Sequence, residues 1–213
     1  MQDQSSEIQQ RVRRYWYIDG FGELVGGGGL CLILAIYFAL GEYLGDQSLF
    51  GGLLSSTLAL VIIGGFFLVR RLINAAKERV TYPRTGYVEY PDSKRKIPSA
   101  IFAAIGGALF AAIIVSIVRR IDTIDAMVAV SGIVMSLILF GKQIWSTRVR
   151  RFYVLSIAAL GYGLLLSTSG LARGYNLGLF YGLMSLSFAI SGGLTLKNYL
   201  DANPIRSDLS DGQ

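Results

Sequence analysis

Long apolar runs separated by short charged clusters set the pattern of this chain. Six runs are read as spans, a helix needing about 20 residues to cross a hydrocarbon core. They are Phe21–Leu44, Gly51–Val69, Ser99–Val118, Ile124–Ile144, Phe152–Thr168 and Leu177–Leu196, the fifth being the shortest. Arg11, Arg13 and Arg14 precede the first run, as the basic residues of a signal peptide would. Asp19 and Glu23 interrupt that junction and no small-residue cleavage site follows, so the run reads as a retained span. The expected fold class is all-α membrane, with six transmembrane helices arranged as three hairpins. The pattern divides the chain into an N-terminal segment 1–19, hairpins 20–69, 99–145 and 146–197, a basic loop 70–98 between spans two and three, and a polar tail 198–213.

Within the loop, Val69, Leu72, Ile73, Ala76 and Val80 recur at helical spacing, with Arg70, Arg71, Lys77 and Glu78 between them. This fits a helix lying along the membrane with its basic residues towards anionic lipid headgroups, or a solvated extension of span two. Pro83 stops that helix, Gly86 supplies a turn, and Tyr87-Val88-Glu89-Tyr90 alternates as a short extended piece does. Small residues recur at Gly22, Gly26 and Gly29, at Ala104, Ala108, Ala112 and Ser116, and at Gly178, Gly182, Ser185, Ala189 and Gly193. Such stripes let helix backbones approach closely, within the chain or in a homo-oligomer. The run Gly26–Gly29 is not a phosphate loop, because no Lys-Ser or Lys-Thr follows it and no strand precedes it. Arg148-Val149-Arg150-Arg151-Phe152-Tyr153 echoes Arg11-Val12-Arg13-Arg14-Tyr15-Trp16. The echo is either a parallel repeat or two similar membrane entries.

Composition agrees with lipid as solvent. The 213 residues are 53% apolar and 16% charged, with a mean hydropathy of +0.51, against about 25% charged in soluble chains. Position matters more than the net charge of +6. If the N-terminus is cytoplasmic, only Arg119, Arg120 and Arg173 of the 20 Lys and Arg lie outside. The positive-inside rule therefore predicts both termini and the long loop in the cytoplasm of a cytoplasmic (inner) membrane. The same placement argues against nucleic acid as a partner.

The chain has no histidine and one cysteine, Cys31, read as a small hydrophobe. Disulfides, thiolate zinc sites and histidine-ligated haem are excluded, and no cofactor or metal is expected. Without histidine, the serines Ser116, Ser131, Ser136 and Ser156 have no base beside them, so an enzyme is not expected. Two constellations can carry chemistry. Asp19 and Glu23, four apart, stack on one face if the helix continues through them, and form a candidate ion or proton site. Alternatively each pairs with Arg11, Arg14 or an arginine of the loop. Arg79, Tyr82, Arg84, Tyr87 and Tyr90 form a candidate cytoplasmic site for lipid or a protein partner, or a cap packed beneath the bundle.

Tyr15-Trp16-Tyr17-Ile18-Asp19-Gly20 with Glu23, the run Lys77-Glu78-Arg79-Val80-Thr81-Tyr82-Pro83-Arg84-Thr85-Gly86-Tyr87-Val88, and Ser191-Gly192-Gly193-Leu194-Thr195-Leu196-Lys197-Asn198-Tyr199-Leu200 carry a likeness. Together they resemble an uncharacterised family of bacterial multi-pass integral membrane proteins. The resemblance implies an architecture and brings no activity with it. The functional expectation is a non-catalytic membrane scaffold or partner subunit using its basic cytoplasmic face. The alternative is a small transporter or ion pathway using Asp19 and Glu23.

Overall fold

The computed structural model describes residues 19–45, 57–81, 84, 126–142 and 150–204. Among them every regular element is helical: α1 (Gly22–Leu44), α2 (Leu58–Val80), α3 (Ala126–Lys142), α4 (Arg151–Ser167) and α5 (Arg173–Ala202). Three of these, α1, α2 and α5, are long and apolar enough to cross a membrane, while α3 and α4 are shorter apolar helices. The expected span 99–118 and the extended piece at 87–90 lie outside the described residues.

Apolar side chains fill the core and also cover the outer surface. On α5, Phe180, Met184 and Phe188 recur every four residues and are buried, whereas Leu179, Leu183, Leu186, Ile190 and Leu194 are exposed. The buried stripe joins Cys31 of α1, Val128 and Leu139 of α3, and Phe152, Leu155 and Ala159 of α4 in one core. Large exposed apolar side chains suit lipid as the surrounding solvent. Cys31 packs in this core as a small hydrophobe does.

Glycine sets the closest contacts. A Cβ on Gly132 of α3 would lie 2.7 Å from the Cα of Gly163 on α4, and the converse holds. A hydroxyl pair bridges the same two helices, Ser136 to Ser156 at 2.8 Å. The start of α1, Gly22–Gly28, is π-helical, and its wider turn divides the glycine run between two neighbours. Gly27 and Gly28 face Phe188 and Ser185 of α5, while Gly26 and Gly29 face Ile73 and Val69 of α2. Gly178 packs on Ala35 and Ala39, whereas a Cβ on Gly193, expected on the same seam, would meet nothing within 4 Å among the described residues.

Helix α2 takes the second of the two expected forms, an extension of span two. It begins at Leu58, residues 51–56 of the expected run lying outside the described residues, and it runs unbroken to Val80, so the stretch from Val69 is continuous with span two. No proline or glycine interrupts Phe66–Val80, which leaves nothing to break the i→i+4 ladder. The helix ends at Val80, three residues before Pro83.

The packing pairs above make α2 antiparallel to α1, α5 to α1, and α4 to α3. One end of the bundle therefore gathers the start of α1, the C-termini of α2 and α5, and the N-terminus of α4. That end carries Lys77, Arg79, Arg84, Arg150, Arg151 and Lys197; the opposite end carries Arg173 among the described residues.

Candidate functional site

Asp19 and Glu23 both lie at the cationic end, but not on one helical face. Asp19 precedes α1, and Gly20 after it takes φ +74°, a conformation natural to glycine. Asp19 Oδ1 accepts the Phe21 N–H at 3.2 Å, an Asx-type turn, and the Gly20 carbonyl accepts the N–H groups of Glu23 and Leu24. The chain thus turns between the two acids before the helix begins. The expectation of a continuous helix stacking both carboxylates is corrected by this turn.

Each acid has a different partner. Asp19 Oδ2 lies 3.0 Å from Lys77 Nζ and accepts the Thr81 hydroxyl at 3.3 Å, which fastens the start of α1 to the end of α2. Glu23 Oε1 accepts Arg151 Nε at 2.5 Å, and Oε2 accepts the Ser191 hydroxyl at 2.7 Å. Arg151 Nη1 donates to the Thr195 hydroxyl at 2.6 Å, and that hydroxyl donates to the Ser191 carbonyl at 2.8 Å. The result is a closed ring, Glu23–Arg151–Thr195–Ser191, joining α1, α4 and α5.

The close approach of two glycines makes this ring possible. A Cβ on Gly20 would fall against the Gly192 carbonyl oxygen, and one on Gly192 would lie 2.5 Å from the Leu24 nitrogen. With backbones this close, the short hydroxyls of Ser191 and Thr195 reach a glutamate and an arginine on other helices. Burial raises the stakes: the Asp19, Lys77 and Glu23 side chains are 2%, 4% and 1% exposed, and Arg151 is 25% exposed. Buried charges persist where an opposite charge and hydrogen bonds satisfy them, as they do here. Among the described residues no three His, Cys, Asp or Glu side chains cluster as a metal site would need.

Of the second constellation, Arg79 is exposed on the last turn of α2. Arg84 is half-buried and donates Nη1 to the Asn203 carbonyl at 2.8 Å, tying the start of the loop to the end of α5. Tyr82, Tyr87 and Tyr90 lie outside the described residues.

Sequence reasoning missed Lys77, Arg151, Ser191 and Thr195 as members of the site. Lys77 was placed with the outward polar positions. Yet Val69, Ile73, Lys77 and Thr81 form one i, i+4 stripe, and that stripe faces α1. A lysine on an inward stripe is a readable signal for a buried acid opposite it. Arg151 was visible only as part of a basic entry, and its partner depends on tertiary placement.

No family model, curated protein or solved structure matches this chain. The functional reading rests on the geometry of the chain itself.

Proposed function

We propose that this chain is a six-span protein of a bacterial cytoplasmic membrane, with both termini in the cytoplasm and no catalytic activity of its own. It acts as a scaffold or partner subunit, and its basic cytoplasmic face receives the partner. The observation that carries this reading is the use of both buried acids: each is bound to a cation from another helix, so neither is available to carry an ion. The pairs act as a latch that sets the ends of α1, α2, α4 and α5 beneath the exposed cations Arg79, Arg150 and Lys197.

Connectivity supports the span count. Helix α2 ends at the cationic end and α3 begins at the opposite one, a parity that one further crossing, Ser99–Val118, satisfies. The distribution of Lys and Arg supports the orientation. The resemblance to bacterial multi-pass membrane proteins agrees with this architecture. Anionic lipid headgroups and a second copy of the chain belong to the same reading, as ligands of the basic face and of the glycine seams.

Affinity purification in a gentle detergent tests it. A partner should co-purify in fixed stoichiometry with the wild type and be lost from the triple variant R79E/R150E/K197E, which should stay monodisperse. A chain that purifies alone, or a partner indifferent to those charges, contradicts the proposal. The transporter reading would require Glu23 to leave Arg151.

A further inference from the structure

The register of α2 on α1 places two arginines inside the span. Val69 packs on Gly29, Ile73 on Gly26, and Lys77 meets Asp19. Arg70 and Arg71 are therefore about 10 Å inward of the Asp19–Lys77 pair, at 1.5 Å per residue. At this depth α1 is a glycine run, and α5 presents Ser185 and Phe188 to it.

The length of α2 supports this depth. The twelve residues Leu58–Val69 give about 18 Å of helix, against a hydrocarbon core of about 30 Å. The candidate span Leu58–Val80 includes Arg70 and Arg71. Both are exposed, with exposed Phe66, Phe67 and Leu68 before them and Leu72 after them. Among the described residues neither makes a hydrogen bond or ion pair.

An arginine at an apolar surface is expensive unless an anion meets it. Snorkelling outward is hindered here. Helix α2 runs towards the cationic end, and Cα–Cβ bonds tilt towards a helix N-terminus, so these side chains leave the backbone pointing deeper. The anion must come inward. A guanidinium fork matches a phosphate's oxygens, and two long arginine side chains, leaving one helix about 100° apart, can flank a single phosphate.

We propose that Arg70 and Arg71 form a binding site for the phosphate of an anionic phospholipid, drawn below the surrounding headgroups and thinning the bilayer locally beside α2. The site rests on the membrane reading above and is independent of the partner reading.

Native mass spectrometry of the full chain tests this, using micelles with equal phosphatidylglycerol and phosphatidylcholine. The wild type should retain phosphatidylglycerol preferentially. R70Q/R71Q should lower that preference about thirtyfold, since each cation near an anionic headgroup contributes about fivefold. R79Q, which removes one cation of the outer turn, should change it by no more than about fivefold. Retained preference in R70Q/R71Q, or an equal loss in R79Q, overturns the site. Inorganic phosphate in excess should not displace the lipid; displacement assigns the site to a free anion and overturns the lipid. If R70Q/R71Q aggregates, R70K/R71K keeps the charge and loses the forks, and an unchanged preference there overturns the proposal. A chain that sediments with membranes yet lacks the lipid preference fails this inference alone. A chain absent from membranes fails the span assignment first.

Discussion

Replacing Arg151 with methionine should cost far more than replacing Glu23 with glutamine, although both changes break one ion pair. The asymmetry comes from burial. Arg151→Met leaves the Glu23 carboxylate, 1% exposed, with only the Ser191 hydroxyl. Breaking a buried pair from one side costs about 3–5 kcal/mol, because the stranded charge stays desolvated. Glu23→Gln keeps the side-chain shape and an oxygen for Arg151 or Ser191. Arg151 itself is 25% exposed and still held by Thr195. That loss is about 1–2 kcal/mol, the scale of a charge-assisted hydrogen bond partly relieved by water. The difference of about 2–3 kcal/mol corresponds to about 5–10 °C in melting midpoint for a chain of this size. Thermal unfolding in a mild detergent, followed by loss of the monodisperse peak, reads it directly. The double variant E23Q/R151M should recover part of the loss of R151M, since no charge is then stranded. Equal effects from the two single variants, or a double variant worse than R151M, would refute the assignment of this pair as a buried structural contact.

Gly20→Ala and Gly192→Ala should each destabilise by about 3 kcal/mol, combining overpacking against backbone with, at Gly20, a φ that alanine resists. Gly64→Ala and Gly193→Ala, which meet no neighbour within 4 Å among the described residues, should not destabilise, and gain up to about 1 kcal/mol of helix propensity in the same assay. Lys77→Met should destabilise by about 3 kcal/mol and be partly rescued by Asp19→Asn, a coupling that a double-mutant cycle measures. Gly132→Ala and Gly163→Ala should each loosen α3 from α4, read as faster disulfide-free cysteine labelling at position 136 or 156, whereas Gly161→Ala should not.

The helices that position the site were readable from apolar periodicity, and α1, α3, α4 and α5 fall close to their expected runs. Three features were not. The turn at Asp19-Gly20 packs against Gly192 on a helix far along the chain, a contact that local spacing does not show, so spacing alone favoured a continuous helix. The start of α2 at Leu58 follows Ser55-Ser56-Thr57, a short polar cluster that hydropathy averaged over a whole span smooths away. The pairing of Glu23 with Arg151 joins residues 128 positions apart, and no local pattern selects one arginine among the many near the membrane. The alternative expected for the two acids, pairing with cations, is the arrangement found, though with Lys77 and Arg151 in place of Arg11, Arg14 or an arginine of the loop.

Cation and proton flux into proteoliposomes carrying the wild type and E23Q tests most directly whether the buried acids form a latch instead of a pathway. With Glu23 held by Arg151 and Ser191, and Asp19 by Lys77 and Thr81, flux should equal that of protein-free vesicles for both proteins. A flux above that background in the wild type, abolished by E23Q, would contradict the latch.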